Sequence, residues 1–150
     1  MKWHRLLVVL VVGAALLGCT EEKVLPPLEK EPVTATPESA LDLADKAVAD
    51  LEKALEGTDL DAVRLAARAT SRAVGAVAGH VETLDTKLAQ EAREAGETQP
   101  VLLMSKLRAA LRASDQALDA VMPPRDDVAQ VREAVPQIKS ALAAVRAAVK

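Results

Sequence analysis

The chain has 150 residues, a formal net charge of −3 and 27% charged residues. Trp3 is its one aromatic residue, with no Phe or Tyr, so it offers no stacking platform for bases and no aromatic cage for a quaternary cation. Mild acidity without a basic stripe argues against nucleic acid as a partner, and a single cysteine leaves no internal disulfide to hold the fold.

The N-terminus reads as an export signal. Lys2 and Arg5 make a positive start, Leu6 to Leu17 is an unbroken run of apolar or small residues, and Gly18 precedes Cys19. Twelve residues fall short of the about 20 that span a bilayer, and Thr20, Glu21, Glu22 and Lys23 follow at once. The expectation is a cleaved segment over 1–18, not a spanning anchor. Leu16-Leu17-Gly18-Cys19 resembles the lipobox of bacterial lipoproteins. That resemblance covers residues 1–19 only. It implies diacylglycerol transfer to the Cys19 thiol, cleavage before Cys19, and acylation of the new amino group with a fatty acid of the palmitate kind. Ordinary cleavage with Cys19 as a bystander is the competing reading. By the same resemblance, Thr20 in place of Asp directs the product to the outer membrane, facing the periplasm. Each buried lipid methylene contributes about 0.8 kcal/mol, and two or more chains give stable anchoring. Loss of Lys2 and Arg5 leaves 17 basic against 22 acidic residues, or −5, and no Phe, Tyr or Trp. A partner surface then has to be built from Leu, Val, Met and Arg.

Residues 19–37 read as the lipidated cysteine and a flexible linker. Pro26, Pro27, Pro32 and Pro37 interrupt regular structure, and Glu21, Glu22, Glu29 and Glu31 keep it solvated. Extended like polyproline, residues 20–37 would reach about 55 Å. The domain is expected over 38–150, as an all-α, antiparallel helical bundle of three to four heptad-patterned helices. The first helix should open with Thr36 as cap and Pro37 at its first position. Its apolar seam is Leu41, Ala44, Val48, Leu51 and Leu55, and Gly57 is its stop. The second should be capped by Thr58, with Asp61 completing a capping box. Leu60, Val63, Ala67, Thr70, Val74, Val77, Val81, Leu84 and Leu88 form its seam, with Gly96 as stop. Such 3-4 spacing favours near-parallel packing. Flanking Ala66 and Ala73, with Ala62, Ala69 and Ala76 beyond, make an arc wide enough for two neighbours or a second copy.

The second helix is far longer than the first. Either the first helix packs on one half and the later helices on the other, or the second bends at Gly75 or Gly79. Thr98 and Pro100 are expected to open the third helix, whose seam is Met104, Leu107, Leu111, Ser114, Leu118 and Val121. Pro123-Pro124 should end it and begin the fourth. The fourth seam is Val128, Val131, Val135, Ile138, Leu142, Val145 and Val149, with a kink expected between Arg132 and Pro136.

Few residues suggest chemistry. His80 is the one histidine beyond the signal, and a haem or metal role would need Met104 or Met122 as its second ligand. Packing at the edge of the apolar arc explains it more simply. Ser39, Ser71, Ser105, Ser114 and Ser140 have no neighbouring base, so no catalytic set is proposed. Asp42 with Asp45, and Asp115 with Asp119, lie one turn apart, too few oxygens for a hard cation. Arg64, Arg68 and Arg72 form a ladder at four-residue spacing, expected to pair with acidic residues of the first helix or with solvent. Gly75-x-x-x-Gly79 means local flexibility or close helix approach. The sequence thus points to a membrane-anchored cell-envelope lipoprotein, non-enzymatic and without cofactor. Its helical module would bind an envelope protein or itself. Murein lipoproteins are similar in joining a lipidated Cys, a heptad helix and a terminal Lys bound to peptidoglycan. That likeness implies Lys150 as an alternative attachment point. A haem or small-ligand bundle is the remaining alternative.

Overall fold

The computed structural model describes residues 36–96 and 102–149. Four helices make up the fold: α1 (Pro37–Glu56), α2 (Leu60–Glu94), α3 (Leu103–Val121) and α4 (Val128–Val149). No strand occurs among the described residues. The segments expected as signal and linker (residues 1–35, with Cys19), Thr98, Pro100 and Lys150 lie outside them.

Each helix packs on the next and α4 closes against α1, while the diagonal pairs barely touch. Cross-links fix the directions. The Thr70 hydroxyl of α2 lies 3.1 Å from the Ala47 carbonyl of α1. Ser71 of α2 donates to Asp115 of α3 at 3.0 Å. Lys139 of α4 reaches Glu52 of α1 at 2.9 Å. The result is an antiparallel four-helix bundle. The starts of α1 and α3, the end of α2 and the end of α4 share one end. The α1–α2 and α3–α4 turns share the other.

The predicted seams form the core. Leu41, Leu51, Val74, Val77, Val81, Leu107, Val121, Val131, Ile138, Leu142 and Val145 are all buried. The α2 seam weakens towards its end, where Leu84 is half-buried and Leu88 is 37% exposed. On α3 the core face is rotated from the expected one. Leu103, Ala110, Ala113, Ala117 and Ala120 are buried, and Met104, Leu111 and Leu118 are only half-buried.

Alanine sets the tightest contacts. The most extensive backbone approach is between α3 and α4, followed by α1 and α2. Ala110 and Ala117, Ala113 and Ala120 on α3, and Ala134 and Ala141 on α4, recur at seven-residue intervals and are buried. Ala40 and Ala47 on α1 do the same, with Ala66 and Ala73 answering on α2. A methyl in place of a longer side chain lets two helix axes draw together. Two close hairpins therefore stack on each other through the larger Leu, Val and Ile side chains. The Ala-rich arc of α2 is largely consumed inside the fold. Its outer members Ala62, Ala69 and Ala76 remain partly exposed.

The helix ends follow local chemistry with four corrections. Thr36 caps α1 as expected: its side chain accepts from Ser39 N at 3.1 Å and Ser39 returns the bond to Thr36 N at 3.1 Å. Gly57 ends α1 with extended backbone (φ −85°), so the stop needs no left-handed residue there. Gly96, at φ 74°, does take the left-handed turn that closes α2. The cap of α2 is Asp59, not Thr58. Its Oδ1 accepts from the backbone N–H groups of Asp61 and Ala62 at 3.0 and 3.3 Å. Second, α3 starts at Leu103 and draws its cap from α2, described below. Third, Pro123-Pro124 lies in a loop, linked by a cis peptide, and α4 begins only at Val128. Asp127 accepts from Gln130 N at 3.1 Å there. Fourth, α1 and α3 both pack along the first two-thirds of α2 instead of dividing its length. Nothing requires a bend: α2 is continuous through Gly75 and Gly79, over a length of about 52 Å. α4 likewise continues through Pro136, whose ring lies on the exposed side.

Candidate functional site

Three polar residues enter the core, and each is spent on the backbone. Thr70 shares its one hydroxyl hydrogen between Ala66 O at 2.9 Å and Ala47 O of the neighbouring helix. Ser114 donates to Leu111 O at 2.9 Å. Asp85, only 8% exposed, caps α3 from α2. Its Oδ1 accepts from Leu103 N at 2.6 Å, and its Oδ2 accepts from Met104 N at 2.8 Å. Leu102, the residue at the cap position itself, supplies no side-chain bond. Among the described residues no buried side-chain nitrogen or oxygen lacks a partner. The interior therefore has no polar group left over to greet a ligand.

The opposite end of the bundle is held by Arg64. Its Nε donates to Val121 O at 2.9 Å, one terminal nitrogen binds Asp61 at 2.9 Å, and the other binds Asp126. One guanidinium thus ties the start of α2 to the end of α3 and to the loop before α4. Asp126 sits at φ 50°, a left-handed conformation uncommon outside glycine. The hydrogen bond to Asp126 is the main cause that raises the Arg64 pKa above its ordinary value, opposed by burial and aided by Asp61.

The α1–α4 seam carries a second set of charges. Arg132, Lys139 and Arg146 recur every seven residues along α4. Arg132 donates to Leu55 O at 3.0 Å, where α1 needs acceptors satisfied at its C-terminal end. Lys139 meets Glu52, and Arg146 meets Asp42 at 2.8 Å and Asp45 at 2.7 Å. The Asp45 bond leads the causes raising the Arg146 pKa, followed by the Asp42 bond.

These contacts decide several sequence expectations. Asp42, Asp45 and Glu52 of α1 pair with α4, and Arg64 of the predicted ladder pairs with Asp61 and Asp126 instead of with α1. The Asp42–Asp45 pair receives Arg146, so its cation is a guanidinium. Asp115 accepts from Ser71. Ser39 is part of the α1 cap, and Ser105 donates to Leu102 O at 2.7 Å. Among the described residues no group of three or more His, Cys, Asp or Glu is placed to hold a metal ion. His80 is half-buried on α2, in the seven-residue register of Ala66 and Ala73 that faces α1. Met122 lies next to Val121 at the Arg64 end, sixteen residues or about 24 Å away along α2. Met122 is therefore too far from His80 to serve with it as an axial pair. Met104 packs at the start of α3. Gly75 and Gly79 are exposed, and a Cβ at either would meet nothing within 4 Å. No close helix approach uses them.

Asp85 and the α4 ladder were not singled out in the sequence. The signal for the ladder was available as three basic residues at heptad spacing opposite Asp42, Asp45 and Glu52. Asp85 carried no such signal, because its partners are backbone groups of another helix. No described helix is long and apolar enough to cross a membrane. The chain matches no protein-family model, and no curated protein and no solved structure is detectably similar to it.

Proposed function

We propose that this chain is a lipid-anchored protein of the bacterial cell envelope, whose helical bundle is a non-enzymatic module for another envelope component. The observation that carries this reading is Cys19 directly after Leu16-Leu17-Gly18, behind a basic and then apolar N-terminus. The bundle is consistent with a display role. Its polar interior groups are committed to backbone bonds, its charged ladder is paired across the solvent-facing edge of the α1–α4 seam, and its other outer faces are what remain for a partner. α1 starts at one end of the bundle, so a tether entering there would hold the body end-on, with the Arg64 end outermost. The placement at the outer membrane, on its periplasmic face, belongs to the same proposal.

Attachment to the wall through Lys150 is less favoured by the geometry. α4 finishes at Val149 at the same end at which α1 begins. Both attachments would then leave from one end, and the length of the bundle would not separate membrane from wall.

Fractionation of cells producing wild type and Cys19→Ser tests the proposal. Wild type is expected in the membrane fraction, released by detergent and not by salt. Cys19→Ser is expected to lose that retention and to accumulate unprocessed. A Cys19→Ser product that is processed and retained like wild type overturns the reading. Crosslinking of intact cells then identifies the partner, and release of a fraction only by muramidase would revive the Lys150 alternative.

A further inference from the structure

The four seams of the bundle are not closed in the same way. Within each hairpin the helices approach closely on alanine and are joined by a short turn, at 57–59 and 122–127. The α2–α3 seam is fastened by sheltered bonds at both ends. Buried Asp85 accepts from the Leu103 and Met104 N–H groups at one, and Arg64 donates to Val121 O at the other. The α1–α4 seam has no turn of its own, and its backbone approach is the least extensive of the four. The polar bonds that cross it come from the long side chains of Arg132, Lys139 and Arg146. The ion pairs among them stand in water, with the Lys139 side chain 54% and the Asp42 side chain 71% exposed.

We propose that the bundle opens along α1–α4, as two hairpins hinged on the α2–α3 seam, with the charged side chains of α4 as its latch. The two seams flank the core on opposite sides, so one motion parts α1 from α4 while the Asp85 and Arg64 bonds stay made. Val48 lies one turn from both Asp45 and Glu52, and Val135 one turn from both Arg132 and Lys139. Both valines are therefore core residues next to the latch, 2% and 5% exposed. Their burial with Leu41 and Leu142 holds the closed state. The exposed ion pairs add little to it and are screened by salt. A rise in ionic strength thus shifts the population toward the open form. In the closed form Leu88, Leu102 and Met122 are the exposed large apolar side chains among the described residues. Opening adds the inner strip of α1 and α4 to that surface. The opening does not depend on lipidation, so it can fail without affecting the proposed anchor.

Thiol labelling of the full chain, with Cys19→Ser to remove the native thiol, tests the opening. Val48→Cys reports the α1 side of the latch and Val135→Cys the α4 side. Ala67→Cys, one turn from Arg64 and from Ser71, reports the α2–α3 seam from a fully buried position. With dithionitrobenzoate in low salt, positions 48 and 135 should label at least about tenfold faster than position 67. Potassium chloride at about 1 M, where the Debye length is about 3 Å, should quicken 48 and 135 at least about threefold and leave 67 unchanged. Arg146→Ala should act as salt does. Equal rates at all three positions, or a faster rate at 67, would place the opening elsewhere or make it global, and overturn the proposal. So would rates at 48 and 135 that neither salt nor Arg146→Ala alters.

Discussion

Replacing Asp85 with Ala removes the cap of a helix that has none of its own. Two backbone N–H groups, of Leu103 and Met104, now end on the Asp85 carboxylate at 2.6 and 2.8 Å. With Ala they would lose their acceptor at a place where Leu103 is 5% exposed. An N-cap lost to Ala costs about 0.5–2 kcal/mol, and a hydrogen bond to a charged group is worth about 1.5–3 kcal/mol. The carboxylate also complements the positive end of α3. Part of this is offset, because the buried carboxylate no longer has to be desolvated. The net loss is about 2 kcal/mol. At roughly 3–5 °C per kcal/mol for a domain of this size, the melting temperature falls by about 6–10 °C. Thermal unfolding followed by circular dichroism measures it, and amide exchange at Leu103 and Met104 should quicken in the same variant. Asp85→Asn keeps one acceptor oxygen and should lose about half as much. If Asp85→Ala melts within about 2 °C of wild type, the carboxylate does not hold α3 and the reasoning fails.

Three further outcomes follow from the packing. Ala117→Leu forces a larger side chain between α3 and α4 and should cost about 1–3 kcal/mol; Ala143→Leu, on the exposed side of α4, should cost almost nothing in the same urea titration. Gly79→Ala should stabilise the protein by about 0.5–1 kcal/mol, because the site is helical, exposed and open to a Cβ; a loss of stability would show that α2 needs a hinge there. Arg64→Met should cost more than Arg146→Ala, since Arg64 joins three elements with 11% of its side chain exposed, while the Arg146 pairs face solvent and are worth less than about 1 kcal/mol. High salt should narrow the Arg146 effect and leave most of the Arg64 effect in place.

The seams were readable because apolar spacing is a one-dimensional signal. Leu41 to Leu55 and Val128 to Val149 appear in the bundle almost as spaced in the chain. The Thr36-Pro37 start and the Gly96 stop were readable for a related reason, since each depends on the chemistry of neighbours in sequence. The rest depends on neighbours in space. Thr58 and Asp59 are both good caps, and the turn after Gly57 decides between them. Asp85 looks like a solvated residue between Leu84 and Thr86 until α3 is laid across it. The rotation of α3 follows from its alanines, which lose to leucine in any count of hydrophobicity but win where helices must approach closely. The candidate site is less legible still. Cys19 rests on local pattern alone, and a partner surface on an aromatic-free bundle leaves no compositional mark.

Cleavage before Cys19 with lipidation of its sulfur and amino group is the central proposal, and the mass of the N-terminal tryptic peptide tests it most directly. Trypsin should release a peptide that begins at residue 19 and ends at Lys23, carrying a diacylglyceryl group on sulfur and a fatty acyl group on its amino end. A mature chain that begins upstream of residue 19, or a Cys19 recovered with a free thiol, would contradict it.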